Sequence, residues 1–278
     1  MKSTIKAYAK INLFLDITGR LENGYHTLNT VMQQVDLYDV VTVEISEGND
    51  IIIECSNPDV PCNEKNIAYK AATAFMNQIK KSAEIHISIQ KNIPLEAGMG
   101  GSSTDGAAVL KALNELYGNP LTIEELCNIG EKLGADVPFC IVGGTAVCKG
   151  IGEIITPIKS NKDYVIALVK PDFSCNTATA YGIYDKKLIP ENPNFKKFVD
   201  SLSYETDKWA RMMYNVFEAL YDDNRIAEIT SYFKNNGADG SILTGSGSAV
   251  FALFRNKENA ESALSIIDAP FKKIVNPL

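Results

Sequence analysis

Two stretches of this chain carry residue types at spacings that suit chemistry on a phosphorylated small molecule. In "AYAKINLFLDI" Lys10 and Asn12 stand two apart. On a strand they share one face, with Cα atoms about 6–7 Å apart, so both can reach a single ligand. The alternative is the polar edge of a half-buried strand. In "IPLEAGMGGSSTDGAA" (93–108) Gly98, Gly100, Gly101 and Gly106 surround Ser102, Ser103 and Thr104, and the run feeds directly into the apolar "VLKALNELYG". Glycines let the backbone turn with positive φ and approach an anion, and a helix starting there offers unpaired N–H groups and a positive dipole end. Ser103 and Thr104 add hydroxyls that can meet a phosphate or a Mg²⁺. The alternative is an ordinary strand-to-helix turn with a Ser/Thr cap. No Gly-Lys-Ser/Thr follows, so this is not a Walker A loop, and the spacing does not fit G-x-G-x-x-G.

Composition narrows the ligand. The chain has 278 residues, a formal net charge of -7, 45% hydrophobic and 22% charged residues. It can bury a proper core, and it lacks the basic face that a nucleic-acid backbone requires. An anion must therefore be met by local backbone groups. Cys55, Cys62, Cys127, Cys140, Cys148 and Cys175 form no C-x-x-C pair, and His26 and His86 are the only histidines. That argues against zinc and for reduced, mostly buried thiols in a cytoplasmic protein. "MKSTIKAYAKINLF" has no apolar signal core, and no later run reaches a membrane span. The expected partner is a small molecule, with no nucleic acid and no membrane, in a monomer or homodimer.

Patterning supplies the elements that must hold these residues. Residues 5–17 alternate, with Ala7, Ala9, Ile11, Leu13 and Leu15 on one face and Tyr8, Lys10, Asn12, Phe14 and Asp16 on the other. "GRLENGY" (19–25) reads as a turn, and 35–45, 50–55 and 84–94 as strands; 66–81 reads as a helix. The helix after the glycine loop ends at Tyr117, before Gly118 and Pro120. "LTIEELCNIGEKLGADVPF" carries a well-marked helix, with a Thr122/Glu125 capping box and Gly134 as its stop. Beyond that stop, Asp136 precedes Val-Pro and is a good helix N-cap, which alone would explain it. From 164 the order fits β-α-β-β-α-β with extra helical material around 195–222, a ferredoxin-like arrangement. The boundary is placed at the polar "TPIKSNKD", giving domains 1–158 and 159–278.

Pro94 through Ala108 resembles the central motif of the GHMP kinases, in outline Pro-x-x-x-Gly-Leu-Gly-Ser-Ser-Ala-Ala. "AYAKINLFLDITG" near the start and "LTGSGSAVFALF" (243–254) resemble that family's other two motifs, so the likeness spans nearly the whole chain. It implies an α+β, two-domain GHMP kinase fold: an N-terminal mixed α/β domain, a ferredoxin-like C-terminal domain and an active site in the cleft between them. "GYHTLNTVMQ" and "LGADVPFCIVGGTAVCKGIGE" (133–153) further imply ATP- and Mg²⁺-dependent phosphorylation of the 2-hydroxyl of a cytidine-diphosphate-linked methylerythritol, a step of the non-mevalonate isoprenoid route.

Carried over residue by residue, the resemblance makes Lys10 and Asp136 catalytic. Asp136 would orient or deprotonate the hydroxyl, while Lys10 keeps it ionised and stabilises charge on the transferring group. It assigns Pro94, Leu95, Glu96, Ala97, Gly98, Met99, Gly100, Gly101, Ser102, Ser103 and Thr104 to ATP, with Asn66 and Lys91 near the adenine. Asn12, Tyr25, His26, Thr177, Tyr181, Gly245 and Gly247 fall on the substrate side. Tyr25 and Tyr181 would stack on the cytosine, and His26 would answer its edge with a ring N–H or a backbone pair. No protein side-chain cluster is expected to hold a metal on its own. Departures are Ser102 at a glycine position, Thr104 at a serine position, and the carboxylate of Glu96 where relatives often carry a small residue. His86 reads as structural or surface, and "LTGSGSAVF" can also be a plain glycine hairpin. The rival functions are another GHMP kinase with a different alcohol, and a non-catalytic nucleotide-binding paralogue. The retained Lys10, Asp136, Ser103 and Thr104 favour catalysis.

Overall fold

Alternation near the N-terminus extends into a long strand, β1 (Lys2–Arg20), which returns through a short turn as β2 (His26–Ser46). In the computed structural model, residues 1–187, 189–221 and 224–278 are described. Two compact units emerge: Met1–Ala9 with Leu37–Ile93 and Gly100–Gly143, and Lys10–Asp36 with Pro94–Met99 and Gly144–Leu278. They interleave along the chain because β1 and β2 each serve both units, whereas the sequence pattern places one boundary near 156–163. Among the described residues no helix is long and apolar enough to cross a membrane.

In the first unit β4 (Glu84–Gln90) pairs antiparallel with the second half of β2, and β3 (Ile51–Cys55) lies parallel to β4. Their inward side chains, Val41, Val43, Ile85, Ile87 and Ile89, form one core with α1 (Ile67–Ile79) and α2 (Gly101–Leu116). Small residues let those helices close in: a Cβ on Gly106 would lie 2.5 Å from Ile67 Cγ2. The stretch from 121 carries α3 (Ile123–Glu131) and then α4 (Val137–Val142), as a stop near Gly134 and a new N-cap position at Asp136 imply. Pro138 has no N–H and is tolerated only in a first turn, so the helix must stop and restart before it. The Thr122/Glu125 capping box is present, but the C-cap is Lys132, not Gly134.

In the second unit the first half of β2 pairs with β5 (Thr145–Lys149), which pairs with β6 (Ile154–Pro157). A separate antiparallel sheet runs β11-β7-β10-β9, from β7 (Val165–Lys170), β9 (Gly240–Leu243), β10 (Val250–Phe254) and β11 (Phe271–Val275). With α8 (Asn224–Asn235) and α9 (Lys257–Ile266) contributing to its core, this is the expected ferredoxin-like order. The extra helical material expected around 195–222 comprises α6 (Phe195–Ser201), α7 (Thr206–Trp209) and the 3-10 helices Ala210–Met212 and Val216–Leu220, interrupted by the two-residue strand β8 (Tyr214–Asn215), parallel to β1. Residue 222 lies outside the described residues, and α5 (Thr177–Tyr184) precedes the range.

Two expectations change here. Residues 9–17 of β1 are buried on both faces, so the polar members of the alternation are not a solvated edge. Leu15 and Ile17 enter the core of the ferredoxin-like layer, while Phe14 packs on Phe195, Phe198 and Tyr214. Of the cysteines, Cys140, Cys148 and Cys175 are buried, Cys55 and Cys127 half-buried and Cys62 exposed; all are free thiols.

Candidate active site

The second unit holds a buried polar knot on β1. Lys10 and Asn12 are 4% and 1% exposed, which excludes the polar-edge alternative. Lys10 Nζ donates to Asn12 Oδ1 at 2.8 Å, and Asn12 Nδ2 donates to Thr30 Oγ1 at 2.9 Å. Thr30 in turn donates to the Phe14 carbonyl. The same Asn12 Oδ1 accepts from the Gly245 N–H at 3.1 Å, and the Asn12 N–H donates to Thr244 Oγ1. Burying this much polarity is tolerable only because each group is paired. The knot thus fixes the lysine relative to the turn between β9 and β10.

That turn also grips the first half of the glycine loop. Ser248 N and Ala249 N donate to the Glu96 and Ala97 carbonyls, and Lys10 N donates to the Met99 carbonyl at 3.1 Å. Gly98 sits at φ +71°, and a Cβ there would lie 2.1 Å from the Thr244 oxygen, so only glycine fits. Thr177 Oγ1 and Ser246 Oγ are 2.8 Å apart, placing Thr177 at the same turn as Gly245 and Gly247. Glu96 is exposed and adopts φ +51°, a left-handed backbone that favours glycine; this explains why a small residue suits the position.

The first unit holds the other half of the loop. Gly100, at φ +71°, is the N-cap of α2 and makes no side-chain capping bond. No side chain of this loop therefore competes for the first N–H groups of a 16-residue helix, a geometry that suits a nucleotide's phosphates. Ser102 is exposed and Ser103 half-buried, while Thr104 is buried and donates Oγ1–H to the Tyr8 carbonyl at 2.7 Å. Thr104 thus ties α2 to β1, leaving Ser102 and Ser103 as the accessible hydroxyls. Among the described residues no group of three or more His, Cys, Asp or Glu gathers as a metal cluster.

Asp136 occupies the N-cap position of α4, half-buried, yet its side chain makes no capping hydrogen bond. The capping alternative therefore does not account for it. A Cβ on Gly134 would lie 3.9 Å from Ser103 Oγ, so the segment leading to Asp136 runs beside the loop's second serine.

Asn66 and Lys91 have structural partners. Asn66 caps α1, accepting from Ala68 N at 2.9 Å and donating to the Pro61 carbonyl at 2.7 Å. Lys91, its side chain 4% exposed, bridges Asp39 on β2 and Asp105 on α2, the latter at 2.6 Å. Asp39 Oδ1 also accepts from the backbone N–H of Ile93, fixing the turn into Pro94. A Cβ on Gly101 would lie 3.5 Å from Lys91 Nζ, so the ammonium sits directly beneath the loop. Burial, with the adjacent Asp39 charge adding to it and Lys91 opposing it, pushes the Asp105 carboxyl up to about 7. Sequence reasoning missed Asp39 and Asp105, although an acid inside the apolar run "VDLYDVV" signals a buried cationic partner.

On the substrate side, Tyr25 is 59% exposed at the turn, whereas His26 opens β2 and is buried rather than lying in a solvated loop. The His26 ring stacks on Tyr181, centroids 4.8 Å apart at 20°. That face of Tyr181 is therefore covered by the histidine. His26 Nε2 lies 2.7 Å from Asp185 Oδ1, which Arg20 also approaches at 3.2 Å through Oδ2. His86 is at the surface beside Glu54.

Comparison with known proteins bears on the family and the fold. Residues 66–144 match the family described as GHMP kinases N terminal domain, and residues 223–273 match GHMP kinases C terminal. The chain belongs to the GHMP kinase family and is a small-molecule kinase of that class. It is 41% identical over 277 residues to a 4-diphosphocytidyl-2-C-methyl-D-erythritol kinase of Caldicellulosiruptor bescii, covering 98% of this chain and 96% of the relative. A crystal structure of 4-(cytidine 5'-diphospho)-2C-methyl-D-erythritol kinase superposes with TM-score 0.75 at 26% identity, covering 99% of both chains. The mevalonate kinase of Methanococcus jannaschii shares the fold, with TM-score 0.74 at 15% identity over 100% of this chain and 99% of that one.

Proposed function

We propose that this enzyme transfers the γ-phosphoryl group of ATP to the 2-hydroxyl of 4-diphosphocytidyl-2-C-methyl-D-erythritol, yielding the 2-phosphate and ADP for isoprenoid precursor synthesis. The observation that carries the reading is likeness of 41% over nearly the full length to an enzyme named for that substrate. Phosphoryl transfer needs positioned reactants, charge neutralisation and an acceptor for the hydroxyl proton. Lys10, held by Asn12, supplies fixed positive charge at the transferring group. Asp136 orients the hydroxyl and takes its proton. The loop from Pro94 to Thr104 holds the nucleotide, with Ser103 and the α2 amides toward its phosphates and Thr104 bracing the helix. Bound Mg²⁺ would neutralise phosphate charge.

Asn66 and Lys91 act on the adenine side by shaping the wall around it, since their polar groups are bonded within the protein. Asn12, Tyr25, His26, Thr177, Tyr181, Gly245 and Gly247 form the acceptor side. A division into an N-terminal ATP-binding and catalytic part, 1–158, and a C-terminal ferredoxin-like, substrate-side part, 159–278, is supported by the two family matches, which fall on either side of that line. The cysteine spacing supports a reducing, cytoplasmic setting.

Phosphorus NMR of the product tests the regiochemistry. Carbon 2 bears the methyl group and no hydrogen, so a phosphate on its oxygen gives a new monoester signal without three-bond proton splitting. A proton-split signal would place the phosphate on another hydroxyl and contradict the proposal.

A further inference from the structure

Asp185 terminates α5 as its C-cap, an end of a helix where the dipole disfavours a carboxylate. Its two oxygens are nonetheless both engaged, Oδ2 with Arg20 at 3.2 Å and Oδ1 with His26 Nε2 at 2.7 Å. The imidazole it meets is fixed in plane. Tyr181 stacks on one face, and Tyr184 meets the ring edge-on with centroids 5.8 Å apart. Tyr184 Oη donates to the Ile17 carbonyl, and Phe217 packs edge-on against Tyr181, so both clamping rings are themselves held.

A carboxylate can only accept a hydrogen bond, so the short contact to Asp185 requires the proton on Nε2. In the neutral ring Nδ1 is then the acceptor, and among the described residues it has no protein hydrogen-bond partner. We propose that Asp185 is a specificity-positioning residue: it holds His26 in the tautomer whose Nδ1 accepts, so that the ring takes the exocyclic amine of cytosine and refuses the carbonyl that uracil carries in its place. This rests on the reading that the cytidine end of the substrate sits at His26. It replaces the ring N–H expected from sequence with an acceptor. A wrong base would set two acceptors face to face and leave both unpaired, a mismatch that binding sites reject strongly.

The test compares kcat/KM for the cytidine substrate and its uridine analogue in wild type, Asp185→Asn and Asp185→Glu. It is paired with ¹⁵N NMR of the histidine ring in a His86→Gln background, where His26 is the only histidine. The wild type is expected to prefer cytidine at least about tenfold, with Nδ1 unprotonated and Nε2 protonated. Asp185→Asn, whose amide can donate as well as accept, should bring the preference close to one and mix or invert the ring assignment, with ATP KM unchanged. Asp185→Glu, which keeps the carboxylate, should retain most of the preference. A wild type that uses both nucleotides equally overturns the base-site reading and this inference together. Undiminished preference in Asp185→Asn, or an unchanged ring tautomer, overturns the inference and leaves the base-site reading standing.

Discussion

Lys10 donates to Asn12 at 2.8 Å within a strand segment buried on both faces, and the same amide oxygen receives the Gly245 N–H. One side chain thereby fixes a charged group and a glycine turn far away in sequence. Asn12→Ala leaves the ammonium, Thr30 and Gly245 each short of a partner. It should destabilise the protein by about 2–4 kcal/mol and lower kcat more than it raises ATP KM. Chemical denaturation with steady-state kinetics checks this; a variant with wild-type stability would mean that the knot is not cooperative.

The two hydroxyls that sequence places together at the loop should behave differently. Thr104→Val removes the bond to the Tyr8 carbonyl at nearly constant volume, so it should cost about 1–2 kcal/mol of stability while ATP KM stays within about twofold. Ser103→Ala should leave stability unchanged and raise ATP KM about five- to tenfold. The reverse pattern would move the phosphate contact from Ser103 to Thr104.

Asp136 makes no capping bond and Asn is nearly isosteric with it, so Asp136→Asn should leave the start of α4 as it is. As the group that takes the hydroxyl proton, its loss should lower kcat by roughly 10²–10⁴. Retained turnover with a falling melting temperature would return Asp136 to a purely structural role.

The Lys91, Asp39 and Asp105 cluster gives a pH signature. The Asp105 carboxyl is raised from 3.8 to about 7, chiefly by burial, so the folded protein holds a proton that the unfolded chain releases in that interval. Its contribution is fully present below the unfolded value and is lost as pH rises through about 7. Wild type should therefore lose on the order of 1–4 kcal/mol more than Asp105→Asn between about pH 5 and pH 8. Denaturation of both proteins across that range checks it, and parallel profiles would contradict it.

Features set by neighbouring residues were legible in the sequence. The Thr122/Glu125 capping box, the glycine loop entering α2 and the β-α-β-β-α-β order from 164 are all local signals. What stayed hidden depends on partners distant in the chain. The start of β2 carries Thr30 and Gln33, polar residues that hydropathy leaves outside a core. They are buried because Thr30 reaches Phe14, and Gln33 reaches Thr145 and Leu278. Likewise Lys91 reads as loop surface until Asp39 and Asp105 arrive beside it, and nothing near residue 185 announces His26 as its neighbour. The split of α3 from α4 was legible as well, from Gly134 as a stop and Asp136 before Val-Pro as a new N-cap position, although the C-cap falls at Lys132.

The most direct measurement is ADP release, coupled to a reporter, with 4-diphosphocytidyl-2-C-methyl-D-erythritol set against mevalonate, homoserine and galactose at matched ATP. The expected result is a kcat/KM for the cytidine-diphosphate substrate at least about a hundredfold above each of the others, because a small alcohol alone offers few of the contacts that the acceptor side provides. Turnover of mevalonate, homoserine or galactose at an equal or higher kcat/KM would contradict it.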